Sequence, residues 1–216
     1  MNFFFTKTQR MNKFRKIDLY PVLTQEFLPG IKLLDMLAAV LAGGVSIVQL
    51  REKQLPAAGL LDLACVFRKL TTRAGALLII NDRIDIALAC KADGVHLGNS
   101  DLPLPAAKKI APGLILGKST HNTAEARAAC NEGADYINIG PVFSTATKPF
   151  AETLGLEKVK EISAAVNIPY TVMGGIKAEH LGALAGIGAK KIAMISGLSA
   201  TDIPEHIRTL RSRINS

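Results

Sequence analysis

Several short stretches carry the residue types that bind and neutralise phosphate. Gln49-Leu50-Arg51-Glu52-Lys53 puts an amide and two cations on alternate positions. In an extended chain alternate side chains share a side, so Gln49, Arg51 and Lys53 face together. An arginine fork and a lysine on one face suit a phosphate or diphosphate, and a solvated charged loop is the plain alternative. Asn81-Asp82 and Asp101 add two carboxylates. Each also reads as a helix N-cap, with Pro103 opening the helix after Asp101. Taken together, two carboxylates plus phosphate oxygens and water are what Mg²⁺ prefers.

Further along, Thr145, Thr147 and Lys148 gather two hydroxyls and a cation in a stretch from Pro141 to Leu154 that reads as one long loop. Long loops of this kind are often functional, and this mixture suits a bound anion. Met173-Gly174-Gly175-Ile176 and Ile195-Ser196-Gly197 bring glycines and a serine. Paired glycines let backbone N–H groups approach a phosphate closely, although turns also use them routinely.

The histidines are less telling. His96 lies inside an apolar run and reads as a hydrogen-bonded structural residue. His121 follows Ser119-Thr120 and fits a site residue or a neighbour of an N-cap equally well. His180 and His206 fall in helix-like segments and read as surface residues.

Short apolar runs must position these groups. Candidate strands are Asp18–Leu23, Val45–Leu50, Ala76–Ile80, Asp93–Leu97, Leu114–Lys118, Tyr136–Ile139, Tyr170–Met173 and Lys191–Ile195. Amphipathic stretches near 31–42, 56–74, 83–91, 104–110, 122–132, 156–165, 178–185 and 202–213 alternate with them. Regular strand–helix alternation argues for a parallel sheet with crossover helices. Eight repeats in 216 residues fit the compact end of the (β/α)₈ barrel, with a doubly wound open sheet as the alternative. A weak internal repeat favours the barrel: Gly43 to Val48, Ala92 to Gly98, Ala134 to Gly140 and Gly188 to Ile195 each run from small residues into a short strand. Barrels of this type carry their chemistry at the C-terminal strand ends, with a phosphate site after strands 7 and 8. The stretches above fall in those places.

Composition narrows the class. Nearly half the residues are apolar, which excludes a disordered chain. No apolar run is long enough to span a membrane. Cys65, Cys90 and Cys130 stand far apart and read as small buried thiols of a cytoplasmic protein. Of the net charge of +8, five positive charges (Lys7, Arg10, Lys13, Arg15 and Lys16) sit in the first 16 residues without an acid. A nucleic-acid binder would spread such charge over a folded face with interleaved aromatics, so no nucleic-acid partner is expected. Residues 1–16 read as a flexible basic arm and 17–216 as one catalytic barrel. Homo-oligomer formation stays open.

Ordered along the chain, seven segments closely resemble thiamine phosphate synthases. They are Val48 to Lys53, Ile80 to Arg83, Ala92 to Gly98 with Asp101, Gly117 to His121, Gly133 to Tyr136, Gly140 to Phe143 with Thr145 to Lys148, and Gly174 to Ile176. The resemblance implies a (β/α)₈ barrel that condenses 4-amino-2-methyl-5-hydroxymethylpyrimidine diphosphate with hydroxyethylthiazole phosphate. Carried over by position, Gln49, Arg51, Lys53 and Asn81 would hold the pyrimidine diphosphate, Asp82 and Asp101 would bind Mg²⁺, and Ser119 would stand near the pyrimidine. Lys148 would reach the pyrophosphate, and Thr145, Thr147, Gly175, Ile195 and Ser196 would take the thiazole phosphate. It further implies departure of pyrophosphate largely before attack, a reaction served by positioning and electrostatics. Three positions depart from the family pattern: Asn99 stands for Gln, Lys118 for an apolar residue, and Met173 for Ile. A thiazole tautomerase on the same barrel and a catalytically silent phosphate sensor are the competing readings.

Overall fold

A computed structural model describes residues 5–28, 30–145 and 152–215. Eight parallel strands close into a barrel in sequence order: β1 (Leu19–Leu23), β2 (Ile47–Leu50), β3 (Leu77–Asn81), β4 (Gly94–Leu97), β5 (Ile115–Thr120), β6 (Tyr136–Ile139), β7 (Tyr170–Val172) and β8 (Ile192–Met194). β8 pairs back to β1 through Leu19–Ile192 and Tyr20–Ala193. Helix α1 (Lys7–Phe14) precedes the barrel. Helices α2 (Leu33–Ala42), α3 (Ala57–Arg73), α4 (Ile84–Ala89), α5 (Leu104–Ile110), α6 (Thr123–Asn131), α7 (Gly155–Ala164), α8 (Leu181–Gly186) and α9 (Ile203–Asn215) follow the strands in turn. The alternation expected from sequence is therefore present, and the open sheet is ruled out by the β8–β1 pairing.

Period-two alternation sorts the strand residues into two cores. Leu19, Leu23, Val48, Leu50, Leu78, Ile80, Val95, Leu97, Leu116 and Ile137 point outward and pack under the helices. Tyr20, Val22, Ile47, Leu77, Ile79, Ile115, Tyr136 and Ala193 fill the barrel interior. Burying both faces makes the strands read as near-continuous apolar runs. Polar inward positions concentrate toward the C-terminal ends, at Gln49, Asn81, His96, Ser119 and Asn138, all of which line the cavity there.

The basic arm differs from its expectation. Helix α1 is capped by Thr6, whose side chain accepts from the Gln9 N–H while Gln9 accepts from the Thr6 N–H. This helix docks on the N-terminal end of the barrel. Phe14 is fully buried, its ring 4.3 Å from that of Tyr136. Lys7 pairs with Asp135 at 2.8 Å and Arg10 with Asp93 at 3.1 Å. These aspartates belong to the internal repeat, and each also accepts a strand N–H, Asp135 from Leu116 and Asp93 from Leu78. The arm's charge therefore meets acids of its own barrel, a pairing that local periodicity could not reveal. The cysteines are free, with Cys90 buried and the other two partly so. Among the described residues, no helix is long and apolar enough to cross a membrane.

Candidate active site

A cavity of about 390 Å³ opens at the C-terminal ends of the strands. Gln49, Arg51, Lys53, Asn81, Asp82, Asp101, Ser119, Thr145, Gly175, Ile195 and Ser196 all line it. Residues scattered over 148 positions of sequence are thus brought together because each follows or ends a strand of one closed barrel. Thr147 and Lys148 lie outside the described residues.

On the β2 side the charges are incompletely matched. Arg51 Nη1 is buried without a hydrogen-bond partner among the described residues, and its ion pair is a 3.6 Å approach to the exposed Glu26. A buried guanidinium N–H left without an acceptor is costly, and a bound anion would satisfy it. Lys53 Nζ lies 3.0 Å from Asp82 Oδ2 and remains half exposed.

Neither aspartate is a helix cap. Asp82 sits at φ 61°, in the left-handed region, and the residue at the α4 N-cap is Arg83, without a side-chain cap bond. Pro103 occupies the α5 N-cap, while Asp101 Oδ2 turns back to accept the Gly98 N–H at 2.6 Å. A non-glycine residue at positive φ is uncommon outside functional or tightly turned sites. Asp82 and Asp101 both line this cavity, close enough for the Asp82 carboxyl to act on the Asp101 proton. Burial and then the Asp82 carboxylate push the Asp101 carboxyl above its ordinary pKa, against the pull of the Gly98 N–H and, more weakly, Lys53. Two hard oxygen donors that repel each other unless a proton or cation intervenes fit a small divalent metal that also takes water and phosphate oxygens. Among the described residues no group of three or more His, Cys, Asp or Glu ligands forms.

The opposite wall is neutral. Gly174 and Gly175 adopt φ values of 107° and 60°. A Cβ on Gly175 would collide with the carbonyl oxygens of Ser144 and Phe143, so only glycine lets the β6 and β7 loops meet there. Ile195 and the short turn Ser196–Leu198 complete this side.

The barrel floor ties the expected Gln49, Ser119 and hydrogen-bonded His96 to two tyrosines that sequence reasoning passed over. Gln49 Nε2 donates to the Tyr20 hydroxyl at 2.9 Å, and the Tyr20 and Tyr136 hydroxyls lie 3.1 Å apart. The Tyr136 hydroxyl meets His96 Nδ1 at 2.9 Å, and His96 Nε2 meets Ser119 Oγ at 3.0 Å. The signal available in sequence was a polar residue at an inward period-two position of a barrel strand. Space for the chain comes from Gly117, which faces Tyr136 in the β5–β6 register and where any Cβ would overlap the Tyr136 ring.

The remaining histidines are tied down. His121 donates its backbone N–H to Glu125 Oε2 and also places Nδ1 2.9 Å from that oxygen, while Asn122 is the α6 N-cap. His180 stacks on Phe143 at 4.0 Å and His206 bonds the Gly197 carbonyl, so neither is the plain surface residue expected. The family departures also find places. Lys118 faces away from the cavity and donates to the Gly98 carbonyl at 2.7 Å. Asn99 bonds Glu125 at 3.1 Å, and Met173 lines the cavity.

Comparison with known proteins agrees with this arrangement. Residues 19–198 match the family model described as thiamine monophosphate synthase. The chain is 44% identical over 197 residues to the thiamine-phosphate synthase of Moorella thermoacetica, covering 90% of this chain and 94% of that one. It is 45% identical over 177 residues to the thiamine-phosphate synthase of Gloeobacter violaceus, covering 82% of this chain and only 52% of that one. A thiamine phosphate pyrophosphorylase from Pyrococcus furiosus superposes with a TM-score of 0.85 at 34% identity, covering 95% of this chain and 97% of that one.

Proposed function

The chain belongs to the thiamine monophosphate synthase family, and we propose that it joins hydroxymethylpyrimidine diphosphate to hydroxyethylthiazole phosphate, releasing pyrophosphate. It is a transferase. The observation that carries this reading is the unsatisfied Arg51 guanidinium, set beside Lys53 and the facing carboxylates Asp82 and Asp101. That set suits a metal-bound diphosphate far better than a phosphomonoester alone. The neutral Gly175–Ser196 wall suits the second, singly phosphorylated substrate. The relatives give no support to the isomerase alternative, which would need no diphosphate site.

In the reaction the bond between the pyrimidine methylene carbon and the diphosphate oxygen breaks, and the electron pair leaves with pyrophosphate. The methylene cation, stabilised by the aminopyrimidine ring, is then captured by the lone pair of the thiazole nitrogen, forming the C–N bond of a thiazolium. No proton has to be removed from the nucleophile, so no general base is required. Arg51 and Lys53 neutralise charge as it grows on the departing oxygens, an electrostatic contribution made before the reaction begins. Asp82 and Asp101 would hold Mg²⁺, which supplies Lewis-acid stabilisation of the leaving group when bound. Gln49, Asn81 and Ser119 orient the pyrimidine diphosphate. Thr145, Gly175, Ile195 and Ser196 hold the thiazole phosphate, joined by Thr147 on the strength of the resemblance, which assigns Lys148 to the departing pyrophosphate. Its partners are these small molecules, and the free thiols suit a cytoplasmic enzyme.

The test supplies each phosphorylated substrate alone and then both. Thiamine phosphate formed only from the pair supports the synthase. Conversion of the thiazole compound by itself would overturn it in favour of an isomerase.

A further inference from the structure

Five side chains link the two sides of the barrel interior: Gln49, Tyr20, Tyr136, His96 and Ser119. Tyr20 and His96 line the cavity as well as the two at the ends, Gln49 and Ser119, and on the function proposed above it is the end pair that contacts the pyrimidine. The middle three are buried, with Tyr20 and Tyr136 almost completely so and His96 only 6% exposed. Burial raises both phenols well above their ordinary pKa and so holds them protonated.

The direction of this chain follows from counting donors. A side-chain amide N–H can only donate, so Gln49 Nε2 must give its hydrogen to the Tyr20 oxygen. The Tyr20 O–H must then find an acceptor of its own, because a buried unsatisfied hydroxyl is costly, and the Tyr136 oxygen lies 3.1 Å away. Tyr136 next passes its hydrogen to His96 Nδ1 at 2.9 Å. With Nδ1 accepting, a neutral imidazole carries its hydrogen on Nε2, aimed at Ser119 Oγ 3.0 Å away. The opposite polarity would send the Tyr136 hydrogen to a Tyr20 oxygen that already accepts from Gln49, and would leave the Tyr20 O–H without an acceptor among the described side chains.

We propose that His96 is a positioning residue, locked as the Nε2–H tautomer, which makes the Ser119 hydroxyl a hydrogen-bond donor to the cavity and thereby fixes how the pyrimidine ring docks. Ser119 accepts from His96 and must donate elsewhere. Gln49 spends one N–H on Tyr20 and keeps its carbonyl oxygen as an acceptor. An aminopyrimidine offers the complement, a ring nitrogen that accepts and an amino group that donates. A pyrimidine with a carbonyl in place of the amine reverses that pattern and is discriminated against. The inference rests on the synthase reading for its substrate, whereas the polarity itself concerns this chain alone.

Two measurements on the full-length protein separate the two. The first is ¹⁵N NMR of the histidine rings, assigned by comparison with His96→Gln. An unprotonated Nδ1 and a protonated Nε2 on His96 are expected, and the reverse tautomer or a doubly protonated ring would overturn the proposal whether or not the protein is active. The second is steady-state kinetics of His96→Leu, Tyr136→Phe and His96→Gln. Loss of one oriented hydrogen bond should raise KM for the pyrimidine diphosphate roughly 10- to 50-fold in the first two while KM for the thiazole phosphate stays within about twofold. His96→Gln, whose amide reaches the Nε2 position, should recover part of the loss, and His96→Leu placed on Ser119→Ala should cost nothing further. Equal rises in both KM values, or additive losses in the double variant, would overturn the positioning role. Should His96→Leu not fold, Tyr136→Phe decides the same question. A wild type that makes no thiamine phosphate would defeat the synthase reading and leave the tautomer to be judged by NMR.

Discussion

The two ends of the barrel treat charge in opposite ways. At the N-terminal end the acids are matched: Asp93 by Arg10, Arg68 and the Leu78 N–H, Asp135 by Lys7 and the Leu116 N–H, and Asp18 by Arg211. At the C-terminal end a guanidinium nitrogen lacks a hydrogen bond, two carboxyls face each other, and Asp82 holds a left-handed backbone. Even the shared feature separates them. Among the described residues Arg10 Nε is also buried without a hydrogen bond, yet it lies 3.1 Å from the buried Asp93, whereas the acid facing Arg51 Nη1 is an exposed glutamate at 3.6 Å. One end is complete without a ligand and serves stability. The other is left incomplete, and that is where the proposed substrates would bind.

If the division holds, substitutions at one end should change activity without stability, and at the other the reverse. The largest expected effect is at Arg51. Arg51→Ala should lower kcat/KM by about 10²- to 10³-fold, the usual cost of losing a preorganised charge-stabilising donor, with a melting temperature at or slightly above wild type. Next is Asp93→Ala, which strands Arg10 and Arg68. It should cost about 3–5 kcal/mol, seen as a Tm lower by roughly 6–20 °C for a chain of this size, while kcat/KM of the folded protein at low temperature stays within about twofold. A comparable loss of activity in Asp93→Ala would break the comparison.

Asp101→Asn tests the crowded carboxyls. In chelator, the folded protein holds the Asp101 proton to higher pH than the unfolded chain does. The folded state therefore binds more protons across that window, and stability falls as pH rises from the ordinary carboxylate range through the raised value. The neutral amide in place of the acid should flatten this slope and raise stability near neutral pH by at most about 1 kcal/mol for a partly solvated pair, seen as a slightly higher Tm, while abolishing metal-dependent turnover. A lower Tm at neutral pH would contradict the stated repulsion. Lys7→Ala should change least, under about 1 kcal/mol for a partly exposed ion pair, with no kinetic change.

Much of this division was legible in the chain. Strand positions and the residues that follow them come from local alternation, and closure of the barrel then brings Gln49, Arg51, Lys53, Asn81 and Asp82 to one mouth. What escaped depends on distant partners. Asp82 resembled a helix cap because Asn-Asp before an apolar run usually is one, and its positive φ and the placing of Arg83 at the cap show otherwise. The basic residues of α1 looked like a loose arm because their acids lie some 83 to 128 positions away along the chain. Tyr136 reads only as a strand residue and part of a family segment, because its meaning lies in Gly117 and His96 on other strands. Local pattern thus finds elements and strand-end chemistry, while pairings across the barrel need the fold.

The most direct test is the yield of both products from wild-type protein given the two phosphorylated substrates, with Mg²⁺ and with excess chelator. Thiamine phosphate and pyrophosphate in equal amounts, formed with the metal and lost in chelator, are the expected result. Folded protein that forms neither product with Mg²⁺, or forms both undiminished in chelator, would contradict a metal–diphosphate site at Arg51, Asp82 and Asp101.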